Sequence, residues 1–315
     1  MTIEQLRDLL LENSLGKDLT NEFKRLFHGR GGLYEGWKHI TIDSIDTILS
    51  VALYSEMDSD LEAELIEMLK NFITTSRHKT VVVQRRYLKE SPSEILVGEL
   101  QENLFVVENG MKFKLNLISN QNSLYFADMK NGRAFVRENS KNKNVLNLFS
   151  YTSTFSVAAK LGGAKSVSNI DMSKGALSVG RANHHLNDID TKGVSFLPYN
   201  ILKSFSRIKK NGPYDLIIID PPTFQKGSFE AAKDYGKIIK KLPEIASNDC
   251  TVLACLNSPD LDSGFITQLV EEFAPEFKFI ERLENLKEFA SDDEERSLKN
   301  LVFSRNNQPK ELILH

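Results

Sequence analysis

Apolar residues recur along this chain in two rhythms, and the second sets in near residue 144. From there, short apolar runs alternate with helix-length segments: VLNLF (145–149), SVSNID (166–171), VSFLPYN (194–200), DLIIID (215–220) and TVLACLN (251–257). Strands that short and that apolar, separated by segments of helical period, predict a parallel sheet covered on both faces. Two further runs, KFIERLE (278–284) and NLVFSR (300–305), would close its edge. Upstream the pattern is mixed. Leu6, Leu9 and Leu10, and later Leu61, Leu65, Ile66 and Leu69, repeat at helical spacing. Between them, residues 40–56 read as a strand pair. Residues 79–88 read as a strand, and 103–118 as a hairpin turning at Asn109-Gly110. The expected organisation is a mainly helical N-terminal segment (1–75), a small β-rich α+β domain (76–120) and an α/β, Rossmann-like domain (121–315).

Composition narrows the class. A chain of 315 residues with 41% hydrophobic and 26% charged residues can build a core without staples. Its two cysteines, Cys250 and Cys255, make no disulfide framework, and there is no CxxC or His/Cys cluster for zinc. No metal is expected. The N-terminus alternates charge with leucine and lacks the basic flank and apolar core of a signal peptide. No apolar run approaches the ~18–20 residues of a membrane span. A cytoplasmic protein is therefore expected, as monomer or homodimer. A net charge of −3 argues against a general nucleic-acid binder but allows a local basic face. Two segments could supply one: the glycine-rich, basic 26–37 (LFHGRGGLYEGW), and the cluster Arg77, His78, Lys79, Arg85, Arg86 and Lys89 beside Tyr87. For each, a plain surface has at least equal claim. The acidic run 291–296 reads as a solvated loop.

Ligands of open α/β sheets bind beyond the carboxyl ends of the strands. Those ends carry Ser150-Tyr151-Thr152, Asp171, Asn200 and Asp220-Pro221-Pro222-Thr223-Phe224. Asp171 lies about 20 residues past the first strand end, where a carboxylate can accept from ribose hydroxyls. Capping of the next helix is compatible with that role. The first loop lacks the G-x-G-x-x-G of a pyrophosphate site. Hydroxyls and amides there suit a zwitterionic methionine tail better. The two prolines fix a rigid, extended turn. That turn can present carbonyls and the Asp220 carboxylate to a planar nitrogen-bearing ring, with Phe224 stacking on it. The alternative keeps Phe224 in the core.

The 147–187 stretch followed by DLIIIDPPTF resembles the class I S-adenosylmethionine-dependent methyltransferases that modify large-subunit ribosomal RNA, the I (cytosine-C5) and K (guanine-N7) types in particular. Residues 120–133 (NQNSLYFADMKNGR) are similar to the family's Q-x-x-x-Y/F-x-x-D-x-R-x-x-R segment, and ENGMKFKLNL to its preceding hairpin. The match spans roughly residues 80–305. The resemblance implies that Phe126, Asp128 and Arg133 line the pocket of S-adenosyl-L-methionine (product S-adenosyl-L-homocysteine). It implies that Asn147 and Ser150, Tyr151 and Thr152 hold the methionine end, and that Asp171 and Met172 hold ribose and the adenine edge. Asp220, Pro221, Pro222 and Phe224 match the catalytic loop. Three positions depart from the pattern. Ser153 stands where the family often has glycine, Asn200 where many have an adenine-binding aspartate, and Lys130 where there is arginine. RNA, ribosomal RNA above all, is the implied partner.

Methyl transfer from a sulfonium is an in-line displacement in which positioning does most of the work. A ring nitrogen needs no base, whereas cytosine C5 needs a cysteine to add at C6 first. The I-type nucleophile aligns with Asn257, where K-type enzymes carry asparagine. Cys255 lies two residues earlier on the same strand face. Nitrogen methylation is favoured. Three other readings stay open. One is an NAD-dependent oxidoreductase, which shares Asp171. Another is a non-catalytic RNA-binding or ribosome-assembly factor with a degenerate cofactor pocket. The third is methylation of protein or small molecules through the same loop.

Overall fold

The structure is a computed structural model that describes residues 1–14, 21–119, 122–225 and 227–305. It divides into two compact units, residues 1–130 with 285–294, and residues 131–284 with 295–315.

The first unit is built on α1 (Ile3–Ser14), β1 (Phe23–His28), β2 (Ile40–Ile45), β3 (Ile48–Leu53), α2 (Ser59–Thr75), β4 (Thr80–Arg85) and β5 (Ser93–Val97). The five strands form one sheet in sequence order. β2 and β3 are the strand pair expected within 40–56, an antiparallel hairpin with Ile45 opposite Ile48. α2 starts where the Asp58 carboxylate accepts from the N–H groups of Asp60 and Leu61. It lays Leu65, Met68, Leu69 and Phe72 onto Ile40, Ile42, Val51, Val81 and Val83 of the sheet, with Leu6 and Leu10 of α1. Because α2 carries the chain across, β3 and β4 pair in parallel. The boundary expected at residue 75 therefore falls inside this unit. The segment 26–37 is not all loop, since Leu26–His28 belong to β1. β6 (Phe105–Glu108) and β7 (Met111–Lys114) form the expected hairpin, with φ +49° at Asn109 and +78° at Gly110.

The second unit runs α3 (Lys130–Glu138), β8 (Asn144–Leu148), α4 (Thr154–Leu161), β9 (Ser166–Ile170), α5 (Lys174–Leu186), β10 (Val194–Leu197), α6 (Phe205–Lys209) and β11 (Tyr214–Ile219). It continues with β12 (Phe224–Gln225), β13 (Phe229–Glu230), α7 (Ala231–Ile239), α8 (Leu242–Ile245), β14 (Ala246–Leu256), α9 (Ser263–Phe273), β15 (Lys278–Leu283) and β16 (Lys299–Ser304). Seven strands pair in the order β10-β9-β8-β11-β14-β16-β15. The first five are mutually parallel, and β16 inserts antiparallel between β14 and β15. Strand order reverses between β8 and β11, the switch point where such sheets bind ligands. One face packs Leu146, Leu148, Ile217, Ile219, Val252 and Ala254 against Tyr235, Ile238 and Ile239 of α7 and Ile266 and Val270 of α9.

The acidic run 291–296 is more than a solvated loop. Glu295 accepts from the backbone N–H (2.7 Å) and the hydroxyl (3.1 Å) of Ser263 and from Arg282 (2.7 Å). It thereby satisfies an orphan N–H at the start of α9.

Two histidines of the first unit are held neutral. Burial, then Arg25 and Arg30, push His28 down to about 3. Burial, then Arg77, push His78 down to about 4, where Ser44 and Ser76 hydroxyls flank its ring. At neutral pH neither is charged, folded or unfolded. Below the ordinary histidine value of about 6.5 the unfolded chain takes up protons that the folded chain refuses, so acid lowers stability. Thermal unfolding should shift several degrees lower from pH 7 to pH 5, and His28→Gln with His78→Gln should flatten that dependence. An unchanged slope in the double variant would contradict the assignment.

Candidate active site

Each strand end at the switch point is fixed by a hydrogen bond to its neighbour. Ser150 N–H donates to Ile170 O (3.0 Å), Asp171 N–H to Leu197 O (3.2 Å) and Asp220 N–H to Leu148 O (3.5 Å). The Asp171 carboxylate joins two loops. Oδ2 accepts from Tyr151 N–H (2.8 Å) and Oδ1 from Ser173 N–H (2.8 Å). Asp171 is not itself the cap of α5. That role falls to Ser173, whose hydroxyl accepts from Ala176 N–H. Burial raises the Asp171 carboxyl above its ordinary value, and the two backbone donors offset part of the rise. Each carboxylate oxygen keeps a lone pair for a further donor.

The first loop reaches a glycine-like course without glycine. Phe149, Tyr151 and Ser153 have φ of +57°, +45° and +58°, a strained course for side-chain-bearing residues. The N–H groups of Ser150, Tyr151 and Ser153 are held by Ile170 O, the Asp171 carboxylate and Ser150 O. The left-handed φ at Ser153 accounts for the glycine common at this position. Ser150 and Ser153 hydroxyls are buried and, among the described residues, find no hydrogen-bond partner. Unmet buried polar groups of this kind suit the polar tail of an amino-acid-bearing ligand.

A shallow cleft is lined by Phe149, Asp171, Met172, Asn200, Ile201, Leu202, Gln225, Ser228 and Phe229. Asp171, Met172 and Asn200 thus come together as the sequence implied. Asn200 Oδ1 already accepts from Lys203 N–H (3.2 Å), capping the short helical turn 201–203. The apolar wall of Met172, Ile201, Leu202 and Phe229 suits a planar purine, and the Asp171 oxygens suit a ribose diol. The site fits an adenosine bearing an amino-acid tail.

The turn after β11 leads into Gln225, which lines the cleft. Pro221 is buried, while Pro222, Thr223 and Phe224 are exposed, Phe224 at 65%. The alternative of a core Phe224 is thereby set aside. Thr223 hydroxyl donates to Asn257 O (2.6 Å), so the ends of β11 and β14 are tied. Beneath them the Tyr235 hydroxyl lies 3.3 Å from Ile219 O and 3.1 Å from Cys255 O. Sequence reasoning missed the β12–β13 hairpin, which brings Gln225, Ser228 and Phe229 to the cleft; the Phe229 ring meets Phe149 edge-on at 4.8 Å. Gly227, with φ +74°, was its available turn signal.

Other implied residues are not among those lining this cleft. Asn147 is 1% exposed and donates to Asn169 Oδ1 (2.9 Å). Asn169 in turn donates to Ser156 Oγ (3.0 Å), which meets His184 Nε2 (2.9 Å). This chain supports the loop from below the sheet surface. Arg133 is buried in α3. Phe126 and Asp128 belong to the first unit. Phe126 is 42% exposed, and Asp128 acts on the charges of Arg25 and Asp43. Gln121 of the upstream segment lies outside the described residues.

A family model described as S-adenosylmethionine-dependent methyltransferase matches residues 24–304. The chain belongs to this methyltransferase family. A Bacillus subtilis (strain 168) member, YwbD, named for ribosomal RNA large-subunit methylation, is 30% identical over 82% of this chain and 67% of its own. A ribosomal RNA large subunit methyltransferase I of Aliivibrio fischeri (strain ATCC 700601 / ES114) is 29% identical over 79% and 66%. The K/L methyltransferase of Shewanella sp. (strain MR-4) is 35% identical over 59% of this chain, which spans only 27% of that relative. A solved structure described as a methyltransferase complexed with S-adenosylhomocysteine has a TM-score of 0.85 at 23% identity. One from Streptococcus mutans has 0.85 at 24%. Each covers 96% of this chain and 82% of its own, and shows the shared fold.

Ser153 also explains Gly180. A Cβ at Gly180 would stand 2.5 Å from Ser153 Oγ and 2.9 Å from its Cβ. Gly180→Ala should destabilise by about 1–3 kcal/mol despite alanine's better helix propensity. Ser153→Gly should rescue it, removing both the collision and the left-handed side chain. A single Gly180→Ala variant as stable as the parent in urea melts would refute this packing.

Proposed function

We propose that this methyltransferase moves a methyl group from S-adenosylmethionine to a base nitrogen of RNA, ribosomal RNA above all. The observation that carries this reading is the Asp171 cleft, lined in part by Gln225, the residue that directly follows the Asp220–Phe224 turn, which Thr223 ties to Asn257. Asp171 would bind the ribose hydroxyls, Met172 and Asn200 the adenine, and Ser150, Tyr151 and Thr152 the methionine tail. Bound here, the cofactor supplies an activated methyl group. The residues of this chain need only hold the acceptor in line with it and exclude water. Exposed Phe224 offers a face for stacking a splayed base, as single-stranded RNA presents it. The rigid prolines fix the turn that carries the Asp220 carboxylate and backbone carbonyls, which can accept from the base edge and, for an exocyclic amine, take the proton released after attack, and Asn257 stands at the neighbouring strand end.

Nitrogen is favoured over carbon by the state of the thiols. Cys255 is fully buried, and burial pushes the Cys250 thiol up to about 12. Neither suits addition to cytosine C6, which needs an accessible thiolate. The relatives named for ribosomal RNA methylation support the substrate class, and such a substrate fits a cytoplasmic protein.

Asp171→Ala should weaken S-adenosylhomocysteine binding by roughly 10- to 100-fold, the value of charged hydrogen bonds. In the parent, affinity should fall on acidification from above the ordinary carboxylate range, because Asp171 protonates early and then loses its acceptors. Asp171→Asn should lack that pH dependence. Calorimetry across pH decides, and parent-like affinity of Asp171→Ala would remove the residue from the pocket. Asp220→Ala should keep cofactor affinity but slow tritiated methyl transfer to undermethylated large-subunit RNA by about 100-fold. Nucleoside mass spectrometry should find a nitrogen-methylated base, and 5-methylcytidine would overturn the nitrogen assignment.

A further inference from the structure

Several basic groups in or beside the two basic segments of the first unit have internal partners or are buried. Arg25 pairs with Asp43, and Lys38 lies 3.7 Å from Asp292. Arg85 is held by Glu62 (2.7 Å) and Glu94 (3.0 Å), and His78 is buried. Arg30 of the first segment and Arg86 of the second are placed differently. Among the described residues neither Arg30 nor Arg86 has a carboxylate partner. Both lie against the same ring: Arg30 sits 4.1 Å and Arg86 5.2 Å from the Tyr54 centroid. Arg86 also donates to Asn122 Oδ1 (3.0 Å).

Topology explains the meeting. β1 and β3 are both antiparallel to β2, and β4 is parallel to β3. The C-terminal ends of β1, β3 and β4 therefore share one edge of the sheet. Arg30, Tyr54 and Arg86 each lie just past one of those ends. Arg30 is exposed, and Tyr54 and Arg86 are half-buried.

We propose that Arg30, Tyr54 and Arg86 form a docking surface for the phosphate backbone of RNA. Stacking on an aromatic ring holds a guanidinium flat and leaves its N–H edge for a phosphate. Two such cations without carboxylate neutralisation attract a polyanion, and their planar forks match phosphate oxygens. His28 beside them stays neutral, so it neither adds to nor subtracts from this charge at physiological pH. The surface rests on the RNA reading above but uses none of the residues assigned to methyl transfer.

The test is fluorescence anisotropy of a labelled single-stranded RNA oligonucleotide with the full chain, over a salt series. Arg30→Gln with Arg86→Gln should weaken binding roughly tenfold and cut the salt slope by about 1.4, some 0.7 per lost phosphate contact. S-adenosylhomocysteine affinity and the unfolding midpoint should stay unchanged, which excludes misfolding. Arg30→Lys with Arg86→Lys should keep most of the slope, since the charge remains. Parent-like RNA affinity and slope in the glutamine variant would overturn the surface alone. Loss of poly-glutamate binding with RNA binding intact would overturn it in favour of an acidic protein partner. A parent chain that binds S-adenosylhomocysteine and methylates another acceptor, yet shows no RNA affinity, would overturn both the surface and the RNA reading.

Discussion

The Asp171 carboxylate is the constraint on which the rest of the site depends. One oxygen fixes the loop after β8 through Tyr151 N–H, and the other fixes its own turn through Ser173 N–H. A buried carboxylate is expensive without such donors. With them it stays an acceptor at the mouth of the cleft, its ionised form disfavoured by burial and partly restored by hydrogen bonds. The strain of Phe149, Tyr151 and Ser153 is borne by this anchoring and by the buried Asn147–Asn169–Ser156–His184 chain below.

Much of this was legible in the sequence because the signals were local. Short apolar runs read as strands, and β8, β9, β10, β11 and β14 stand where they were expected. Strand ends named Asp171, Asn200 and Asp220. What the sequence hid was long-range. The insertion of β16 between β14 and β15 is a pairing choice between two similar apolar runs, which periodicity does not encode. The glycine-free loop concealed a left-handed backbone, because φ is imposed there by surrounding hydrogen bonds rather than by residue type. Alternation along β8 turns Asn147 away from the face of Leu146 and Leu148 and toward Asn169, a partner that the sequence pattern did not name. The basic segments showed the same limit from the other side. Charge counting could not tell which arginines would be neutralised by Glu62, Glu94 or Asp43.

The two units solve different problems with the same material. In the second, parallel strands buried on both faces must end in polar groups, and those ends become chemistry. In the first, a five-stranded sheet gathers the ends of β1, β3 and β4 along one edge, and aromatic stacking rather than carboxylates organises the cations there.

The short return segment 285–294, between β15 and β16, belongs to the first unit. Its Phe289 lies under the Arg25 guanidinium at 4.5 Å and beside His28 at 5.3 Å, and Gly31 carries no Cβ because Ala290 O occupies that space. Residues 1–130 are thus synthesised well before the segment that completes their unit. Until the chain has been extended past residue 294, its N-terminal portion exists without one of its own walls, and a fragment cut at residue 130 would carry that gap permanently.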